Sequence, residues 1–129
     1  IYNQEKLREI LLDCGLDLID FDKKVNTYSK GMRQKVGIAI ALAKQANIYL
    51  LDEPASGLDP LASTELSSIL KNLSNSGAAI LMASHDIFRI RETCNRIGIL
   101  KNGELVKEMD TTSVTTKELE NIYIEYMKD

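Results

Sequence analysis

The sequence predicts an α/β fold in which parallel strands form a buried sheet and helices pack on its faces. Two segments, residues 47–52 and 78–84, each contain an unbroken apolar run, 48–51 and 78–83, which is typical of strands that are buried on both faces. The segment between them carries an apolar stripe at helical spacing, after an Asp-Pro pair that is typical of a helix start. Strand, helix and strand in this order form a βαβ unit, so the two strands are expected to run parallel.

Helical periodicity, with cap and stop residues at the ends, predicts further helices over residues 5–14, from Ser29 to about Gln45, over 86–94 and over 117–128. Residues 38–43 of the helix after Ser29 are apolar nearly all round, so we expect the helix to be buried. Residues 16–26 mix apolar and acidic side chains and predict a short helix or an irregular connector. Asn102-Gly103, between two short strand-like runs, predicts a β-hairpin.

Composition restricts the class of protein. The 129 residues suffice for one domain with one core, and 44% apolar with 27% charged residues is ordinary for a globular protein. Sixteen basic and nineteen acidic residues give a net charge of −3, which argues against a dedicated nucleic-acid surface. Cys14 and Cys94 lack the spacing of metal ligands and predict free thiols in a reducing compartment. No apolar run approaches the 18 residues of a membrane span.

Two adjacent carboxylates, Asp52 and Glu53, stand where the first strand leaves the sheet. Ligands of open α/β sheets bind at that edge, so a hard cation held by Asp52, with Glu53 facing the reacting atom, explains both residues. His85, the single histidine of the chain, follows the second strand. Parallel strands end at the same edge of a sheet, and we therefore expect His85 beside the two carboxylates.

The start of the helix after Ser29 allows two interpretations. The simpler one is a capped core helix. The other uses the unpaired backbone N–H groups at Ser29, Lys30 and Gly31, which could receive a phosphate.

Four motifs occur in order: residues 28–32 read YSKGM, 48–54 read IYLLDEP, 56–59 read SGLD and 84–86 read SHD. Together they resemble the second half of an ATP-binding cassette (ABC) ATPase, the nucleotide-binding domain of ABC transporters. The resemblance covers about residues 25–108. It implies a P-loop NTPase-like parallel sheet with flanking helices, incomplete because the phosphate-loop half is absent, plus part of the helical subdomain.

The resemblance also implies a role for each motif residue. Asp52 is similar to the Walker B aspartate that holds Mg²⁺, often through water. Glu53 is similar to the residue that orients or deprotonates the attacking water, and His85 to the histidine that contacts the γ-phosphate. Such an arrangement suits phosphoryl transfer, which needs positioning and charge neutralisation more than covalent help.

Three further residues resemble parts of the cassette dimer. Ser29 and Gly31 match the signature motif, which closes over an ATP bound to the partner subunit, and Asp59 matches the loop that crosses the dimer interface. The signature differs from the common Leu-Ser-Gly-Gly-Gln, because Lys30 replaces the first glycine and Met32 the glutamine. With Tyr28 in place of leucine as well, this form is similar to the ATPase subunits of ABC-2-type exporters.

The implied organisation has three segments. Residues 1–45 belong to the helical subdomain with the signature motif, 46–110 to the catalytic α/β core and 111–129 to a C-terminal helix. The implied cofactors are ATP and Mg²⁺. The implied partners are a second cassette, identical or different, and a transmembrane permease at the inner face of the cell membrane, with the subunit in the cytoplasm and no nucleic acid bound.

The phosphate-binding loop G-x-x-x-x-G-K-[ST] does not occur, since none of the seven glycines precedes a lysine. The chain also begins at Ile1 rather than at a methionine. We therefore expect the C-terminal part of a longer ATPase, inactive and marginally stable when isolated. Two alternatives stay open: a non-transport ABC ATPase of DNA repair or translation, and a catalytically inactive interaction fragment.

Overall fold

The computed structural model of the protein describes residues 3–128, which form five α-helices and four β-strands. In chain order these are α1 (Gln4–Asp13), α2 (Lys30–Ala43), β1 (Ile48–Asp52), α3 (Pro60–Asn75), β2 (Ala79–Ala83), α4 (Ile87–Thr93), β3 (Arg96–Lys101), β4 (Glu104–Asp110) and α5 (Thr116–Met127). The chain divides into two compact units, whose boundary in the sequence lies between Ala83 and Ser84. The assignment of 1–45, 46–110 and 111–129 to parts of a cassette stays a prediction.

The first unit contains the predicted βαβ unit. Strands β1 and β2 pair in parallel, with Ile48 opposite Ala79 and Asp52 opposite Ala83. Helix α3, which connects them, begins after the N-cap Asp59 with proline at its first position, as predicted. The parallel pairing places the ends of both strands at one edge of the sheet.

The core of this unit lies between the helices and one face of the sheet. Its buried members come from the end of α1, from α2 and from α3: Cys14, Ile38, Ala39, Leu66 and Leu70. Leu51, Ile80 and Met82 of the two strands pack against this cluster. Burying a Leu or Ile side chain stabilises a fold by about 1.5–3 kcal/mol, so this cluster is the main source of stability in the unit.

The other face of the sheet is exposed. Ile48, Leu50 and Leu81 are 67%, 74% and 70% accessible, whereas Tyr49 is buried. The prediction that both strands are buried on both faces is therefore wrong. Successive side chains of a strand point to opposite faces, and the apolar stripes of the helices gather on only one of them.

Helix α2 is also less buried than its sequence predicts. Its N-cap is Ser29, as predicted, and Ile38, Ala39 and Ala43 are buried, but Ile40 is 56% exposed. The helix packs on α1 and on the core through one side only, which leaves an apolar residue of the other side in solvent. Between α1 and α2, two 3-10 turns, Leu18–Asp20 and Val25–Thr27, form the predicted irregular connector.

The second unit is built on the predicted hairpin. Strands β3 and β4 pair antiparallel as a sheet of their own. Asn102 (φ 52°) and Gly103 (φ 82°) form the turn, and both need the left-handed conformation that an Asn-Gly hairpin turn requires. Ile97, Ile99 and Leu119 are buried, and α5 packs on β3 and on α4.

Candidate active site

Asp52 and Glu53 stand at the carboxyl end of β1, where the sequence places them. Asp52 is the last residue of the strand, and its side chain is exposed. The backbone N–H of Glu53 donates a hydrogen bond of 2.8 Å to the carbonyl oxygen of Ala83, so the ladder between the strands continues one residue beyond Asp52. Glu53 is half-buried and has φ 46°. Non-glycine residues in this left-handed region are uncommon and concentrate at functional sites.

A tight loop follows Glu53 and leads into α3. The N–H of Ser56 donates to the carbonyl of Glu53 (3.0 Å), and the N–H of Leu58 donates to that of Ala55 (3.1 Å). Gly57 has φ 80°, a conformation that a residue with a side chain rarely adopts. These turns bring the chain from the end of the strand to the N-cap of the helix within six residues.

Asp59 is explained by helix capping within the chain. Its side-chain Oδ1 accepts a hydrogen bond of 2.8 Å from the N–H of Ala62, which satisfies one of the free donors at the start of α3. The cap also fixes where the loop ends. A role for Asp59 across a dimer interface stays a prediction.

Of the two predicted signature residues, Ser29 caps α2 and Gly31 lies against this loop. Ser29 Oγ accepts a hydrogen bond of 3.1 Å from the N–H of Met32, so its hydroxyl oxygen caps α2. A Cβ on Gly31 would lie 3.1 Å from the carbonyl oxygen of Gly57, closer than nine in ten real contacts of that kind. Any larger residue at position 31 would therefore push the two backbone segments apart by a few tenths of an ångström, whether or not Gly31 also contacts a nucleotide.

Gln34 is a residue of this region that the sequence analysis did not select. Its side-chain Nε2 donates to the carbonyl oxygen of Pro54 at 2.7 Å, and the carbonyl of Glu53 lies within 3.5 Å. The available signal was a polar amide one turn inside the helix, just before its apolar second half. The sequence does not show what such an amide contacts.

His85 belongs to the second unit and lies between the end of β2 and the N-cap of α4. The N-cap is Asp86, whose side chain accepts from the N–H of Arg89 at 3.0 Å, while its own N–H donates to Ser84 Oγ at 3.1 Å. These bonds order the segment around the histidine. The expectation that His85 stands beside Asp52 and Glu53 stays a prediction.

The metal-ligating side chains of this region suit a Mg²⁺ ion that also binds nucleotide phosphates better than a metal ion that is held by protein side chains alone. Within residues 3–128 there is no cluster of three or more His, Cys, Asp or Glu side chains that could hold a metal ion. Mg²⁺ characteristically takes one or two carboxylates and completes its shell with water and substrate phosphates. The exposed carboxylate of Asp52 is a suitable oxygen ligand of this kind.

The cysteines take no part in this site. Both are free, and burial raises the pKa of the Cys14 thiol to about 11, with a further contribution from the charge of Asp13. Burial also raises the pKa of Cys94. Their thiols are therefore protonated near neutral pH and are poor nucleophiles.

Comparison with protein families gives a match to the model described as "AAA domain, putative AbiEii toxin, Type IV TA system", over residues 15–90. An uncharacterised ABC transporter ATP-binding protein of Nostoc sp. is 41% identical over 104 residues, which cover 80% of this chain and 31% of that protein. Another, from Bacillus subtilis, is 34% identical over 122 residues, which cover 94% of this chain and 39% of that protein. The chain therefore spans less than half the length of these relatives.

A solved structure gives the same result. The dimeric post-hydrolysis state of the ATP-binding cassette MJ0796, bound to ADP and phosphate, matches with a TM-score of 0.77 at 30% identity. The match covers 86% of this chain and 49% of that cassette. In the part of the protein that the structure describes, no helix is both long and apolar enough to cross a membrane.

Proposed function

Because this chain belongs to the ATP-binding cassette family of AAA-type ATPase domains, we propose that it forms the C-terminal part of an ABC transporter ATP-binding subunit. In the complete subunit, MgATP is bound and hydrolysed at the interface between two cassettes. The single observation that carries this proposal is the pair Asp52 and Glu53 at the carboxyl end of β1, with Glu53 in a left-handed backbone conformation. That is the position of a ligand-binding edge in an open α/β sheet.

The residues divide the work of phosphoryl transfer among them. Asp52 holds Mg²⁺ through its carboxylate or through water, and the ion, when bound, neutralises charge on the phosphate oxygens. Glu53 accepts a hydrogen bond from the attacking water and orients or deprotonates it. His85 donates a hydrogen bond to the γ-phosphate. Asp52 is the last residue of β1, Glu53 follows it directly, and His85 comes two residues after the end of β2.

The second set of residues serves the ATP of the partner subunit. Ser29 and Gly31 stand at the start of α2, where free backbone N–H groups bind a phosphate of that ATP. Asp59, the N-cap of α3, ends the loop that meets the partner cassette. The dimeric state of the matched cassette MJ0796 supports this arrangement. The chain alone, without a phosphate-binding loop, is expected to be inactive.

The names of the relatives support transport rather than DNA repair or translation. They are ABC transporter ATP-binding proteins, and we propose that this subunit likewise docks on a transmembrane permease at the inner face of the cell membrane. From the form of the signature, YSKGM, we propose that the transporter is an ABC-2-type exporter. The partner cassette can be identical to this one or different.

Phosphate release by the complete polypeptide tests the proposal. We expect Asp52→Asn to lower MgATP turnover by roughly 100-fold or more, because metal-assisted charge stabilisation is worth several kcal/mol. Asp17→Asn is the matched control, since Asp17 is exposed and its side chain makes no capping hydrogen bond. Wild-type turnover by Asp52→Asn would contradict the proposed function.

A further inference from the structure

Helix α2, which begins at the signature residues Ser29 and Gly31, contacts the loop that begins at Glu53. Gln34, one turn inside α2, donates its side-chain amide to the carbonyl oxygen of Pro54 at 2.7 Å. The same nitrogen lies 3.5 Å from the carbonyl oxygen of Glu53. Gln34 is half-buried and Pro54 is buried, so water competes poorly for this contact.

Two further contacts join the same segments. Lys30 Nζ lies 3.4 Å from Ser56 Oγ, and a Cβ added to Gly57 would lie 3.0 Å from Lys30 Cδ. Gly31 approaches the Gly57 carbonyl closely from the same helix turn. The start of α2 therefore contacts the loop after Glu53 at several points, of which the contact of Gln34 is the nearest in sequence to Glu53.

The backbone of Glu53 needs support from both sides. Before it, the strand ladder ends with the bond from the Glu53 N–H to Ala83. After it, the chain turns at once, and Gln34 supplies the bond to Pro54 from outside the loop. A residue at φ 46° lies in a sparsely populated region and persists only where its surroundings hold it there.

We propose that Gln34 is a positioning residue that couples the signature segment to the orientation of the Glu53 carboxylate. When Ser29 and Gly31 engage the ATP of the partner subunit, the contact through Gln34 orients Glu53 toward the attacking water in its own subunit. This inference rests on the proposed function. It assigns to Gln34 no contact with nucleotide.

The test is steady-state ATP hydrolysis by the complete polypeptide carrying Gln34→Ala. Losing one hydrogen bond of this kind is expected to lower kcat by roughly 3- to 10-fold and to leave KM for ATP within about twofold. Gln34→Glu keeps the shape of the side chain and removes the hydrogen-bond donor, so its kcat should fall at least as far as that of Gln34→Ala. Gln4→Ala, an exposed glutamine of α1, is the matched control and should keep wild-type kcat.

A double-mutant cycle with Glu53→Gln separates positioning from general stabilisation. If Gln34 acts through Glu53, then Gln34→Ala should leave the residual turnover of Glu53→Gln unchanged. An equal fold-loss in both backgrounds, or wild-type kcat in both Gln34 variants, would overturn the inference while leaving the proposed function intact. Wild-type turnover by Glu53→Gln alone would overturn the proposed function itself. Thermal melting of each variant checks that a loss of kcat is not a loss of fold.

Discussion

The backbone N–H of Glu53 donates a hydrogen bond of 2.8 Å to the carbonyl oxygen of Ala83. This bond carries the β1–β2 ladder past the last residue of the strand and holds Glu53 at φ 46°. A non-glycine residue in such a conformation costs of order 1–3 kcal/mol, which the packing around it must offset. The carboxylate that we propose as the general base thus belongs to a residue in the left-handed region.

Two substitutions at Glu53 that differ in their tolerance of the left-handed conformation should reveal the strain at this residue. Glu53→Val places a β-branched residue in the left-handed region, whereas Glu53→Gly adopts it freely. We expect Glu53→Val to unfold with a free energy about 1–3 kcal/mol lower than Glu53→Gly. Urea denaturation of the two variants measures the difference. Equal stabilities would show that the left-handed conformation is not the state in solution.

Capping by Asp59 can be separated from any role at an interface. Asp59→Ala should lower the free energy of unfolding by about 1 kcal/mol, because the N–H of Ala62 loses its acceptor. Asp59→Ser restores the cap and should recover most of that stability. If Asp59 also acts across the dimer interface, Asp59→Ser of the complete polypeptide should still hydrolyse ATP more slowly than wild type. Unchanged stability in Asp59→Ala would contradict the capping assignment.

The exposed face of the β1–β2 sheet predicts self-association of the 129-residue chain. Contiguous apolar side chains in solvent favour association, and Leu50 and Leu81 are 74% and 70% accessible. Sedimentation velocity should show mass rising with concentration, and Leu50→Gln should reduce this. Leu61→Gln is the control, since Leu61 is equally exposed, at 70%, but lies on α3. An equal effect of the control would exclude the sheet as the contact face.

The raised pKa of Cys14 makes two predictions about pH. Its thiol, with a pKa of about 11 in the folded protein, stays protonated where an unfolded cysteine, near 9, begins to ionise. The contribution of this raised pKa to the free energy of unfolding is fully present below pH 9 and is lost as the pH rises toward 11. Alkylation of Cys14 by iodoacetamide at pH 8 should therefore be much slower in the native protein than in urea. Equal rates in the two states would contradict the burial of this side chain.

Local patterns predicted most of the elements of the fold. The apolar runs of β1 and β2, the Asp59-Pro60 start of α3 and the Asn102-Gly103 turn each depend on neighbouring residues, and the structure contains all of them. The exposed sheet face could not be predicted in this way. The unbroken apolar sequence of a strand shows that both of its faces carry apolar side chains, and it does not show whether another element covers each face.

In the candidate site, too, the sequence shows the features that depend on neighbouring residues and does not show those that depend on distant ones. Asp52 and Glu53 could be selected as candidates because their place at the end of a strand is visible in sequence. The contact of Gln34 with Pro54 joins residues twenty positions apart, and no local pattern shows it. The left-handed backbone of Glu53 was likewise invisible, since glutamate carries no preference for that conformation. The roles of Asp52, Glu53, His85, Ser29, Gly31 and Asp59 all stay predictions.

Turnover of the complete polypeptide carrying Glu53→Gln tests the central claim most directly. The amide keeps the size of the side chain and removes its basicity, so ATP binding should stay within about twofold of wild type while hydrolysis falls by roughly 10²-fold or more. Binding is measured by equilibrium titration with ATP, and hydrolysis by phosphate release at saturating MgATP. Retained binding with this loss of turnover is the predicted result, and near-normal hydrolysis by Glu53→Gln would contradict it.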